Sequence, residues 1–395
     1  MALKRVVIVS ETYRPEINGV ATTLGHWVDG LLSRGCEVHV IRPRQSDQDV
    51  DELSSPTREK QLRVKGLPIP GYSELKFGLV TKRKIRKHLQ RINPDAVYIA
   101  TEGPLGYVAL NACKQLGIRA VTGFHTNFQS YSRFYSFGFL ESIIFSYLRW
   151  FHNASAATLV PTRQQQNMLF QRNFQRVKVV SRGIDASRFH PSKRCDALRH
   201  SWGASKQDPV FIYVGRIAAE KNLDLLAQTY ERVTAKHPTA KFVLVGNGPL
   251  KPVLSEKYKN IIFAGVKRGE ELARHYASGD IFLFPSKTDT FGNVVTEAMA
   301  SGCCVVSFND AAAGEHLTHR RSGLLADITD NNMFIENALE AFENKNLRWN
   351  IALGSRAIAE QLDWSSVVEK FCNTLETAPQ PLKGDRHANR TAFGS

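Results

Sequence analysis

Ile281-Phe-Leu-Phe-Pro-Ser-Lys-Thr-Asp-Thr-Phe-Gly-Asn-Val-Val-Thr-Glu-Ala-Met-Ala-Ser-Gly-Cys-Cys-Val-Val-Ser307 reads as a strand, a loop, a helix and a second strand. Ile281–Phe284 is a short apolar run that stops at Pro285, and Cys304–Ser307 is another. Phe291-Gly292-Asn293 can open the helix between them, and Gly302 closes it. The same alternation runs outward in both directions. Strands are expected at Arg5–Ser10, Glu37–Arg42, Ala96–Ile99 and Arg119–Phe124, then at Val210–Val214, Lys241–Val245 and Ile261–Ala264. Helical stretches separate most of them. The pattern predicts an α/β chain with parallel sheets.

The polar stretch 188–209, with Pro191 and Pro209, divides the two strand sets. Two doubly wound, Rossmann-like domains facing across a cleft follow, with ligands beyond the carboxyl ends of the strands. The expected boundaries are 1–188 and 189–363. A helix at about 364–376 packs back on the first domain, and 377–395 is a disordered tail.

The chain has 395 residues, 43% of them hydrophobic, enough for full cores. Its 52 Lys+Arg against 37 Asp+Glu leave a net charge of +15, which asks for an anionic partner. Residues 1–190 hold 27 of the cations and only 14 of the acids, so the first half carries nearly all the excess. Val6–Ser10 is too short for a signal core or a membrane span. Six cysteines lie scattered without C-x-x-C spacing and are expected to be reduced thiols in a cytoplasmic protein, with no metal site. Asp47, Asp49 and Asp51 contain Asp-x-Asp spacing but sit in a polar stretch and are read as a solvated loop.

Four segments carry candidate chemistry. Asn18-Gly19 follows the first strand and starts a helix, where free N–H groups can face an anion. No G-x-G-x-x-G fingerprint occurs there, which weakens a dehydrogenase reading. Arg216 and Lys221 flank another helix start, an arrangement that opposes the helix dipole unless an anion lies between them; a diphosphate would serve. The plainer alternative is two solvated cations. Asp289 and Glu297, eight positions apart, would both face the cleft and suit sugar and ribose hydroxyls. His125 follows a strand and should sit at the cleft edge, as a structural or a functional histidine.

Taken together, these segments resemble the retaining GT-B glycosyltransferases of family 4, the group 1 glycosyl transferases, over about residues 5–376. Thr288-Asp-Thr-Phe-Gly-Asn-Val-Val, Asn18-Gly-Val, Thr101-Glu-Gly-Pro-Leu-Gly, Phe124-His-Thr-Asn-Phe and Arg182-Gly-Ile-Asp resemble the branch of α-mannosyltransferases and diacylglycerol glycosyltransferases. Asp289 stands where much of the family has Glu. The resemblance implies that Arg216 and Lys221 bind the donor diphosphate and Glu297 the ribose. It gives the sugar to Asp289 and the backbone of Phe291, Gly292 and Asn293. Gly19 would back the diphosphate, His125 would lie beside the sugar, and Val266 would fall where the base is gripped. It also implies retention at the anomeric carbon. The cations take the leaving-group charge, so no cofactor or metal is required.

Two features bear on the acceptor. Thr81–Arg91 holds six Lys/Arg, among them Lys82, Arg83, Lys84, Arg86 and Lys87, beside an Ile85/Leu89/Ile92 stripe. It reads as a basic amphipathic helix on an anionic membrane, or as a solvated helix whose stripe packs on the core. Phe124–Phe151 carries 11 of the 38 aromatics. Tyr131, Phe134 and Tyr135 among them suggest an apolar acceptor mouth. Expected partners are therefore a nucleotide-sugar donor, a lipid acceptor and an anionic membrane surface, with no nucleic acid. Soluble or polyprenyl-linked sugars remain an alternative acceptor, an epimerase an alternative enzyme, and nucleic-acid binding an alternative suggested by charge alone.

Overall fold

The computed structural model describes residues 3–16, 18–45, 49, 59–69, 72–125 and 138–379. The first sheet contains β1 (Arg5–Val9), β2 (Glu37–Pro43), β3 (Lys60–Ile69), β4 (Tyr72–Leu79), β5 (Ala96–Ile99), β6 (Ala120–Gly123), β7 (Ala157–Val160) and β8 (Val177–Val179). Its order is β4-β3-β2-β1-β5-β6-β7-β8, parallel except for the β3–β4 hairpin. The second sheet contains β9 (Val210–Val214), β10 (Lys241–Val245), β11 (Ile261–Gly265), β12 (Ile281–Phe284), β13 (Cys304–Phe308) and β14 (Leu324–Ala326). Its order is β11-β10-β9-β12-β13-β14, all parallel.

Burial on both faces explains why these strands are continuously apolar. In β1, Val6 and Ile8 enter the core on one face of the sheet, while Val7 and Val9 enter the core on the other. In β9, Phe211 and Tyr213 point one way and Val210, Ile212 and Val214 the other. The strand order reverses at β1 in the first sheet and at β9 in the second. These two switch points set the crevices where a doubly wound sheet takes ligands.

The last helix, Trp364–Thr377, starts at an Asp363 cap that accepts from the Ser366 amide at 2.9 Å. It returns to the first domain, where Val367, Val368, Phe371, Cys372 and Leu375 join the core beside β1. Phe371 stacks on Trp27 with ring centroids 4.2 Å apart. A Cβ at Gly30 would come 2.5 Å from a Val368 methyl, so glycine is what lets this helix lie against Gly19–Ser33.

Five strands go beyond the sequence expectation: β3, β4, β7, β8 and β14. β3 reads Lys-Gln-Leu-Arg-Val-Lys-Gly-Leu-Pro-Ile, lies between β2 and the edge strand β4, and leaves Lys60, Lys65, Leu67 and Pro68 exposed, so its hydropathy is mixed. The others of the five, apart from β4, have only three or four residues.

Candidate active site

Gly19 follows β1, Arg216 and Lys221 follow β9 and Asp289 follows β12, all at the two switch points, whereas His125 follows β6, one strand beyond. After β9 the chain turns through Gly215 to Arg216, then a short turn of 3-10 helix, Ala219–Lys221, precedes the helix Leu223–Lys236. Lys221 Nζ donates to both oxygens of Asp289, at 2.8 and 2.9 Å. Asp289 arrives on the loop after β12. Arg216 is exposed and paired only loosely, at 3.3 Å, with Glu220 one turn on. An exposed pair of that kind is worth little and is free to reorganise.

Gly292 adopts φ +79°, and a Cβ there would meet the Phe284 ring at 2.8 Å. That left-handed turn starts the helix Asn293–Ala300 so that its first amides face the cleft, with Phe291 buried beneath. Glu297 lies one turn in and accepts from the Tyr276 hydroxyl at 2.8 Å. Burial pushes its carboxyl up to about 7, against which the Tyr276 hydrogen bond and the more distant Arg188 charge pull it down.

From the first domain, Asn18 caps the helix Gly19–Ser33 by accepting from the Val20 and Ala21 amides. His125 follows β6, and its Nε2 lies 2.8 Å from the Tyr98 hydroxyl. Burial keeps that hydroxyl protonated, since it raises the Tyr98 pKa far above its ordinary value. The hydroxyl and Nε2 share one proton, and Nδ1 is buried with no partner among the described residues. Burial, with the Arg182 and His152 charges adding, pushes His125 down to about 3, so it is a neutral hydrogen-bonding group rather than an acid–base catalyst at ordinary pH. Its backbone carbonyl accepts from the Thr290 hydroxyl at 3.1 Å, a direct contact across the cleft.

These residues line one cavity of about 930 Å³, which takes in Gly19, His125, Arg216, Lys221, Asp289, Phe291, Gly292, Asn293 and Glu297. The volume suits a ligand larger than a mononucleotide. Opposite the cations, Phe77, Ile144, Tyr147 and Leu148 supply an apolar wall. Tyr147 is held there by its hydroxyl, which donates to the Glu102 carbonyl at 2.5 Å.

Among relatives, a GDP-mannose-dependent alpha-mannosyltransferase of Corynebacterium glutamicum is 31% identical over 326 residues, 82% of this chain and 77% of that protein. Family patterns agree: Glycosyltransferase Family 4 matches residues 17–188, and Glycosyl transferases group 1 matches residues 208–344. The chain belongs to glycosyltransferase family 4. An alpha-monoglucosyldiacylglycerol synthase of Acholeplasma laidlawii is 26% identical over 94% of this chain and 96% of its own. The fold is GT-B. HepE of Anabaena, solved with UDP, superposes with a TM-score of 0.75 at 17% identity, covering 94% of this chain and 99% of that one. This glycosyltransferase uses a nucleotide sugar.

Four expectations need correction or fall elsewhere. Val266 follows β11 at 58% exposure and is not among the residues lining the cavity. Tyr131, Phe134 and Tyr135 lie outside the described residues. In the helix Lys82–Ile92, Ile85, Leu89 and Ile92 are buried in the core of the first domain, so the apolar stripe of the glycosyltransferase is not available to a bilayer. Lys82, Arg83, Lys84, Arg86 and Lys87 remain exposed on its outer face. Asp49 is not solvated either: Arg42 grips it at 2.6 and 2.8 Å, and Arg63 approaches at 3.0 Å. Asp47 and Asp51 lie outside the described residues.

Among the lining residues without a role in the sequence reading are Arg182, present there only within a branch motif, and Glu11, present only within the turn before Gly19. Glu11 accepts from the Leu105 amide at 3.1 Å, capping a helix whose own cap, Gly103, has no side chain to offer. That pairing of Glu11 with a helix starting at Gly103-Pro104 is a long-range one, with no local signal.

The position of Glu297 gives a testable pH dependence. Between about pH 4.5, its ordinary value, and about 7, only the folded state holds the proton, so its contribution to stability falls as pH rises. Above 7 the loss is complete. Glu297→Gln stays neutral throughout and can still accept from Tyr276. Its melting temperature relative to wild type should climb from pH 4.5 to 7 and then level off. A difference that is flat with pH, measured by scanning calorimetry, would remove the burial argument.

Proposed function

We propose that this protein moves a hexose from a nucleoside-diphosphate sugar, with UDP-glucose, UDP-glucuronate and GDP-mannose as candidate donors, to a lipid acceptor such as diacylglycerol. Transfer retains the anomeric configuration, requires no metal and takes place at the cytoplasmic face of a membrane. The observation that carries the reading is the Lys221–Asp289 pair beside Arg216 and the helix start at Asn293, facing an apolar wall. As the donor enters, Lys221 exchanges Asp289 for the diphosphate, and Asp289 turns to sugar hydroxyls. Glu297 accepts from the ribose, and Gly19 closes against the diphosphate from the first domain.

Departure of the nucleoside diphosphate builds negative charge on its outer phosphate. Arg216, Lys221 and the amides at Asn293 stabilise that charge in a site shielded from water. Among the described residues, no group of three His, Cys, Asp or Glu side chains is arranged to hold a metal ion. With Asp289 turned to sugar hydroxyls and Glu297 to the ribose, transfer proceeds by front-face displacement with the leaving phosphate oxygen as base.

Support for a lipid acceptor comes from the Phe77, Ile144, Tyr147 and Leu148 wall and from the six exposed cations on Lys82–Ile92. No helix among the described residues is long and apolar enough to cross a membrane. Contact is therefore electrostatic and superficial. Because the Ile85/Leu89/Ile92 stripe is buried, a soluble or polyprenyl-linked sugar stands as the second acceptor reading.

Flotation with phosphatidylglycerol-containing liposomes tests the first. Binding should occur at low salt, weaken on the order of tenfold by 0.3 M salt, and fail on neutral vesicles. Equal recovery with neutral vesicles, or none with either, favours the second acceptor class.

A further inference from the structure

Arg182 lies just after β8, where the chain first passes from one domain to the other. The residue is 5% exposed, yet among the described residues no carboxylate pairs with it. Its Nη1 donates to Asn293 Oδ1 at 3.0 Å, and its guanidinium sits 5.2 Å from the Phe291 ring centroid. Nε has no partner among the described residues. The acid that acts on it through space, Asp289, is already held by both oxygens on Lys221. A Cβ on Gly19 would stand 2.9 Å from Arg182 Nη1, so the start of the helix Gly19–Ser33 faces the same guanidinium.

A buried cation without a counter-ion is strongly unfavourable. Burial lowers the Arg182 pKa to about 10, which still leaves it charged at neutral pH. The stacked Phe291 ring and one neutral amide oxygen offset only part of the cost. Two helix starts, at Gly19 and at Asn293, add positive potential to the same spot. Everything around this guanidinium favours an anion, and among the described residues no carboxylate is in contact with it.

We infer that Arg182 is a third cation for the donor's diphosphate, left uncompensated in the empty protein and balanced when the diphosphate enters between Gly19 and Asn293. The inference rests on the donor reading above and adds a residue to it. The same charge could instead meet an acidic group on the transferred sugar, so the ligands must separate the two sources. Arg216 and Lys221 come from the second domain, whereas Arg182 sits at the crossing between domains. It therefore also links diphosphate binding to the approach of Gly19.

Full-length wild type, Arg182→Met, Arg182→Gln and Lys221→Ala are titrated with inorganic pyrophosphate, GDP, UDP and UDP-glucuronate, and melted without ligand. Arg182→Met is expected to melt at or above wild type, since it removes an unpaired buried charge. Its affinity for pyrophosphate and for the preferred nucleoside diphosphate should fall at least tenfold. Arg182→Gln should show the same loss, and it carries the titration if the methionine variant folds poorly. Pyrophosphate and diphosphate affinities within twofold of wild type in both variants overturn the inference, whether or not UDP-glucuronate binding weakens. So does a variant that melts lower yet binds pyrophosphate as before, which marks a packing role. If Lys221→Ala loses binding while the Arg182 variants keep it, only this inference fails. If wild type binds none of the ligands, the donor reading fails with it.

Discussion

Lys221→Ala is expected to lower turnover on the order of 10²–10³-fold, the usual cost of removing one donor that stabilises charge on a leaving group. The side chain has two tasks. In the empty protein it holds both oxygens of Asp289, at 2.8 and 2.9 Å. With donor bound it is the cation within reach of the outer phosphate. Its removal leaves Asp289 unpaired next to an incoming diphosphate, which adds repulsion to the lost attraction. Donor affinity should therefore fall along with turnover. Lys221→Arg keeps the charge and should recover part of the rate, though not all, because the longer guanidinium pairs with the Asp289 oxygens through its planar fork and carries its charge away from the ammonium's position. Steady-state rates with the preferred donor check this. Turnover within fivefold of wild type in the alanine variant would contradict a leaving-group role.

The second large effect is expected at His125. Its Nδ1 is a buried polar atom without a partner among the described residues, placed at the cleft by the hydrogen bond between Nε2 and Tyr98. Such an orphan is costly unless substrate completes it. One hydrogen bond made in a shielded site is worth roughly 1.5–3 kcal/mol, so His125→Ala should cost about 10- to 150-fold in kcat/KM. Tyr98→Phe should cost less, since it frees the tautomer without removing the ring. Because burial holds the ring pKa near 3, wild-type rates should show no inflection from this histidine above pH 5. A pH–rate profile with an inflection near 6.5 that disappears in His125→Ala would mean that the ring titrates and works as an acid or base.

The two domains were legible because parallel strands buried on both faces announce themselves as apolar runs. β1, β5, β9, β10, β12 and β13 all begin where the hydropathy changes. The β3–β4 hairpin was not legible, since edge strands alternate charge with apolar residues and resemble loops. The site was legible where one segment carries both the turn and the chemistry. Asp289, Phe291, Gly292, Asn293 and Glu297 come on a single strand–loop–helix unit. It was not legible where function depends on distance in sequence. Arg182 looks like one more surface cation until β8 and the helix Asn293–Ala300 bring it over Phe291. The amphipathic helix shows the opposite error. Its periodicity is real, but the face it marks belongs to the domain core, so only the charge is left for a partner.

Nucleotide titration monitored by thermal stability tests the donor site most directly, since a ligand stabilises only the state it binds. GDP, UDP, GDP-mannose, UDP-glucose and UDP-glucuronate are each added to wild type and to Lys221→Ala. Nucleotides of one base should raise the melting temperature of wild type in a saturable way, and the shift should be largely lost in the variant. No shift with any of the five at millimolar concentration, or an equal shift in Lys221→Ala, would contradict a donor site built on the Lys221–Asp289 pair.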